Sequence, residues 1–103
     1  MNKLDEARDH VLGQYGQDIG KRREELLTPA LVLDIDAAQR NIDHMATALT
    51  ELGRAAIRPH YKTHKSPELA RRQVEAGAGG LSTATVWEAA ILASAQIWLG
   101  PRR

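Results

Sequence analysis

The 103-residue chain has no cysteine and no phenylalanine, and only two tryptophans and two tyrosines. Without cysteine there are no disulfides and no thiolate metal sites, and the redox compartment stays open. Without phenylalanine the core has to come from Leu, Ile, Val and Ala, which is thin for this length. No apolar run approaches the roughly 20 residues of a membrane span. Asp5, Glu6, Arg8, Asp9 and His10 stand where a secretory signal would need apolar side chains. An excess of one charge is also missing, since 14 basic residues face 13 acidic ones. That balance excludes a general polyanion binder. The basic residues are not interleaved with exposed aromatics, so there is no case for nucleic acid. Gly77-Ala78-Gly79-Gly80 lacks the spacing of a phosphate-binding fingerprint and reads as a turn. These absences predict one small cytoplasmic domain with neither membrane nor nucleic-acid partner.

What is present is a regular pattern beginning at residue 28. Residues 1–27 read as an N-terminal extension. Leu4, Ala7, Val11 and Leu12 mark a short helix face, interrupted by Gly13, Gly16 and Gly20, and Lys21–Glu25 is a solvated charge run. Ala30–Ile35 is a nearly continuous apolar run, the pattern of a strand covered on both faces, with Pro29 at its start. Asp36, with Gln39 three residues on, predicts a capped helix carrying Ile42, Met45, Ala46, Leu49 and Leu52 and ending near Gly53. Ala55–His64 reads as a second strand. Ser66-Pro67 opens a second helix with Leu69, Ala70 and Val74 inward and Gly77 as its stop. Gly80–Ala84 reads as a third strand, and Thr85 with Glu88 as the capping box of a third helix through Ala89, Ala90, Leu92 and Ala93. Ile97-Trp98-Leu99 begins a fourth strand. The order β-α-β-α-β-α-β predicts parallel α/β architecture, either an open doubly wound sheet or three and a half units of a (β/α)8 barrel.

The chemistry concentrates in Arg58-Pro59-His60-Tyr61-Lys62-Thr63-His64-Lys65. Along an extended strand, Arg58, His60, Lys62 and His64 share one face. A lysine among other cations is a better amine nucleophile, which makes Lys62 a candidate for carbonyl capture. His60 and His64 also share that face, but two imidazoles are too few for a metal centre, and no metal is expected. They serve better as supporting groups, as does Arg58. Asp34 and Asp36 could form an acid/base pair; the simpler reading has Asp36 capping a helix and Asp34 pairing with a basic group. Ser82, Thr83 and Thr85 could line a pocket at the end of strand three.

Thr28–Asp34, Asp36–Ile42, the Arg58–Lys65 octapeptide, Ser66–Gln73 and Ala84–Ala89 together resemble the start of the D-threonine aldolase and D-serine dehydratase family. These are fold-type III pyridoxal-phosphate enzymes related to the alanine racemase N-terminal barrel. The resemblance implies a barrel with pyridoxal 5'-phosphate on a Lys62 Schiff base, with His60, Arg58 and His64 near the cofactor. It also implies a lyase of amino acid metabolism acting on a D-amino or β-hydroxy amino acid, and a homodimer. Residues 28–103 would then be an incomplete barrel domain, the N-terminal part of a longer enzyme, since the pattern departs after Ala95. Two other outcomes are a non-catalytic remnant and a carrier that binds the cofactor without turnover.

Overall fold

A computed structural model describes residues 2–53 and 56–97. By its internal contacts the chain divides into two compact units between Leu33 and Asp34.

In the first unit, helix α1 spans Lys3–Tyr15. Asn2 opens it, its side-chain oxygen accepting from Asp5 N at 2.9 Å. Asp5 and Glu6 in the first turn complement the helix dipole. Gly13, expected to interrupt the helix, lies inside it. The charge run is partly coiled: Arg23–Glu25 is a 3-10 turn, closed by a hydrogen bond from Arg22 N to Glu25 Oε2 at 2.9 Å.

The second unit holds α2 (Ile35–Glu51), α3 (Pro67–Glu75) and α4 (Val86–Ser94). Each begins at a side-chain cap. Asp34 accepts from Ala37 N at 2.9 Å, Ser66 from Leu69 N at 3.2 Å, and Thr85 from Glu88 N at 3.1 Å. Pro67 sits in the first turn of α3, where its missing N–H is costless. Gly53 and Gly77 follow α2 and α3 with φ of +63° and +112°, the left-handed geometry that suits glycine at a helix end. The core gathers Tyr61, Ala70, Leu81, Leu92 and Ile97, with Val74 and Ala95 packed against it. Helix α2 contributes no fully buried residue.

The expected α/β sheet is not there. The described residues are mostly helical and contain no strand, and therefore neither a doubly wound sheet nor a partial (β/α)8 barrel. The sole β-bridge among them is an isolated parallel one between His60 and Ser82, and a backbone bond from Gly79 N to Ile57 O at 2.9 Å joins the same two segments. Two physical causes are visible. A ladder needs a neighbour on its hydrogen-bonding edge, and Ala30–Leu33 finds none among the described residues. Leu31, Val32 and Leu33 are exposed instead of covered. Elsewhere, side chains capture backbone N–H groups that a ladder would have used. Asp34 caps α2, so Ile35 opens a helix where a strand was expected. This reverses the reading of the two carboxylates: Asp34 is the cap, and Asp36 lies in the first turn. Gln39, expected in a capping box, instead donates to Asp43 and accepts from Arg72. Ala55, the expected start of strand two, and Trp98-Leu99 of strand four lie outside the described residues. Ile97 is buried without being in a strand.

Candidate functional site

The octapeptide does not run straight. His60 is extended, with φ −91° and ψ 125°, and Tyr61–Thr63 coil into a 3-10 turn. The shared face of Arg58, His60, Lys62 and His64, which follows only from an extended chain, is therefore lost at Tyr61. What holds the turn is a different set of bonds. Tyr61 N donates to Ser82 O at 2.8 Å, and Ser82 N donates to Pro59 O at 2.9 Å. The guanidinium of Arg58 donates to Leu81 O at 3.2 Å. Lys65 N closes the turn onto Tyr61 O at 2.9 Å. The segment before Lys62 is thus tied to Ser82 by two main-chain bonds flanking the His60–Ser82 bridge, and to Leu81 O by the Arg58 side chain.

Each expected site residue has a definite role in this arrangement. His60 caps the turn: its Nδ1 accepts from Lys62 N at 3.1 Å. His64 ends the turn; its Nδ1 accepts from Ser66 N at 3.0 Å and its Nε2 lies 3.0 Å from Gln73 Oε1. Lys62 itself is exposed, and no carboxylate pairs with its ammonium among the described residues. Ser82 takes part through its backbone. Thr85 is occupied as the cap of α4, its hydroxyl also donating to Glu88 Oε2 at 2.9 Å. Among the described residues no group of three metal-ligating side chains converges.

Two residues central to the site escaped sequence reasoning. Tyr61 is 1% exposed and is among the largest fully buried side chains. Its ring anchors the turn in the core and meets the His64 imidazole edge-on, centroids 5.5 Å apart. Burial pushes the Tyr61 hydroxyl above its usual value of 10.0, and the Glu88 carboxylate pushes it the same way. The signal was available: Tyr61 is the single aromatic in a cationic octapeptide, next to the exposed lysine. Glu88 was assigned only to a capping box. It is 8% exposed, and its Oε1 has no hydrogen-bond partner among the described residues.

The turn presents a primary amine to solvent, with an imidazole two residues away on either side in the chain. That set fits the aldehyde end of a carbonyl cofactor, since an amine free of a carboxylate partner is open to condensation.

No family model matches the chain. Individual proteins do. Over 62 residues the chain is 45% identical to a D-threo-3-hydroxyaspartate dehydratase from Delftia sp. (strain HT23), covering 60% of this chain and 16% of that protein. Over the same length it is 44% identical to a D-threonine aldolase from Arthrobacter sp., again 60% of this chain and 16% of that protein. The backbone is similar to the crystal structure of D-threonine aldolase from Filomicrobium marinum, with a TM-score of 0.66 and 42% identity over 70% of this chain and 19% of that one. The chain thus spans about a sixth of the length of these curated relatives. These likenesses share one family. They support the resemblance of this chain to the D-threonine aldolases and their dehydratase relatives.

Among the described residues no helix is long and apolar enough to cross a membrane.

Proposed function

We propose that this chain carries the cofactor-holding lysine segment of a pyridoxal-phosphate-dependent lyase of the D-threonine aldolase and D-serine dehydratase type. Its substrate would be a D-amino or β-hydroxy amino acid. The observation that supports this most is the joint one: close similarity to two proteins named for such reactions, and an exposed Lys62 without a carboxylate partner on a turn fixed by Tyr61 and Ser82. Lys62 is the amine that holds the cofactor aldehyde. Arg58, His60 and His64 support it, Arg58 through Leu81 O and the two imidazoles through the main chain of the turn. When bound, pyridoxal phosphate supplies an electron sink for a bond broken at the α-carbon, and the protein's part is to orient that bond. A cytoplasmic location and a homodimeric assembly belong to the same proposal.

The test is chemical. The protein is incubated with pyridoxal phosphate, reduced with borohydride, digested and weighed peptide by peptide. The expected result is a phosphopyridoxyl mass on the peptide containing Lys62, and its loss in Lys62→Ala. Labelling spread evenly over Lys3, Lys21, Lys62 and Lys65 would overturn the assignment. Product formation from D-threonine or D-serine separates an enzyme from a carrier that binds without turnover.

A further inference from the structure

Both histidines of the octapeptide do the same unusual thing. Each accepts, through Nδ1, the main-chain N–H two residues ahead: His60 from Lys62 at 3.1 Å and His64 from Ser66 at 3.0 Å. The geometry is that of an Asx turn, in which Asn or Asp Oδ1 accepts the N–H two residues on. An imidazole Nδ1 occupies the same place in its side chain as Oδ1. There is one difference: an amide oxygen accepts at any ordinary pH, whereas Nδ1 accepts only when it carries no proton. A backbone N–H has nothing to accept with, so the direction of both bonds is settled. For His64 the tautomer follows completely. With Nδ1 bare, the ring proton is on Nε2, where Gln73 Oε1 at 3.0 Å receives it.

We propose that His60 is a positioning residue that fixes the main chain of Lys62 through a proton-free Nδ1, with His64 doing the same for Ser66 at the head of α3. Proton uptake by these rings removes those two bonds and loosens the main chain at Lys62 and Ser66, while the bonds to Ser82 remain. The functional meaning of this rests on the Lys62 reading above; the structural claim does not. The two bonds bracket the turn. His60 holds its second residue, and His64, at its end, holds the cap residue of α3. The groups around the rings do not supply a competing anchor. His60 faces Ser82 across the bridge, with Arg58 on one side in the chain and Lys62 on the other. His64 meets the edge of Tyr61, Gln73 from α3, and lies beside Lys65. The Glu88 carboxylate of α4 acts on Tyr61. Neither imidazole pairs with a carboxylate among the described residues. A proton taken up at Nδ1 would therefore cost the main-chain bond and gain no ion pair.

The experiment uses the full 103-residue chain without cofactor. Long-range 15N–1H spectra through a pH titration assign the ring protons, and hydrogen exchange, corrected for the intrinsic pH dependence, gives the protection of the Lys62 amide. At neutral pH His60 and His64 are expected as Nε2–H tautomers with the Lys62 amide protected. As His60 titrates, that protection falls about 2- to 10-fold, the worth of one hydrogen bond. His60→Asn keeps an acceptor that does not titrate, so protection persists at both ends of the titration. His60→Ala loses it throughout, while the Tyr61 amide bond to Ser82 reports that the fold survives. The proposal is overturned if neutral His60 carries its proton on Nδ1. It is equally overturned if Lys62 protection is pH-independent in the unaltered protein, a measurement that needs no variant. Borohydride labelling run alongside separates the two readings. Labelling of Lys62 with no pH-dependent protection sinks the positioning role alone, and the converse result sinks the cofactor role alone.

Discussion

Two stretches of this chain have the composition of a strand, and they behave in opposite ways. Ala30–Ile35 is the more apolar. Yet Leu31, Val32 and Leu33 stand exposed, and Ala30–Leu33 make no hydrogen bond among the described residues. Arg58–Lys65 is the more polar, with five cationic or imidazole side chains among its eight residues. It nevertheless sends Tyr61 into the core, ties its backbone to Ser82 and bonds Leu81 O through the Arg58 side chain. Hydrophobicity alone did not decide which run became ordered. The decision lay with the availability of a partner. The second run has residues 81 and 82 alongside it, and one aromatic ring with the α3 and α4 residues Ala70 and Leu92 to bury it. Burial is favourable in proportion to the apolar area removed from water, and an apolar run without a neighbour removes less of it.

The sharpest way to break this contrast is to truncate one side chain in each run. Tyr61→Ala deletes the largest buried ring among the described residues and leaves a cavity beneath the Lys62 turn. Buried aromatic truncations cost about 3–5 kcal/mol, a large share of a small domain's stability. Leu31→Ala removes a side chain that touches solvent, and its expected effect is within about 0.5 kcal/mol. Urea unfolding of the two variants beside the parent measures both. Equal losses would show that Leu31 is covered in solution and that the two runs do not differ as described.

The starts of α3 and α4 and the stops of α2 and α3 were legible because they depend on single residues acting locally. Ser66 before Pro67, Thr85 before the apolar α4, and Gly53 and Gly77 after the last turns each act where the sequence places them. The lysine segment stood out for another reason: five of its eight side chains are cationic or imidazole. The sheet was misread because period and composition do not show whether a run has a neighbour. They also do not show when a side chain outcompetes a ladder. Asp34 takes Ala37 N and starts α2 two residues before the expected cap. His60 takes Lys62 N and turns an alternating strand into a 3-10 coil. The shared face of Arg58, His60, Lys62 and His64 fell with that alternation. The burial of Tyr61 does not show as an apolar pattern in the sequence, where it stands between ionisable residues.

A smaller effect sharpens the comparison between the helices that border the two runs. Ser66 caps α3, which buries Ala70 in the core, whereas Asp34 caps α2, which buries nothing fully. Ser66→Ala should cost about 1 kcal/mol of global stability, the usual worth of such a cap. Asp34→Ala removes a cap of the same kind, but the loss should appear chiefly as local fraying at the start of α2. Amide exchange at Ala37 and Ala38 would read that fraying, with a smaller change in the global unfolding midpoint than Ser66→Ala produces. Reversed sensitivities would mean that α2 is the better-anchored helix.

The smallest expected effect is electrostatic and belongs to Tyr61 alone. Burial first, and then the Glu88 carboxylate, hold its hydroxyl above the usual 10.0. The folded state therefore keeps the phenol neutral at a pH where the unfolded chain has begun to lose the proton. The contribution is fully present below the ordinary tyrosine value, because neither state has then ionised the ring. It declines as pH rises from there through the raised folded value, since the unfolded state binds fewer protons and gains stability with each step. Tyr15, exposed in the first unit, offers the internal contrast, since its ring is open to water. Tyr61→Phe should remove the alkaline decline while keeping most of the buried ring. Tyr15→Phe should leave the decline intact. Measuring the urea midpoint of all three proteins at pH 8 and again above the tyrosine range decides it. A decline that survives in Tyr61→Phe would place its origin elsewhere in the chain and leave the buried phenol without a role in alkaline stability.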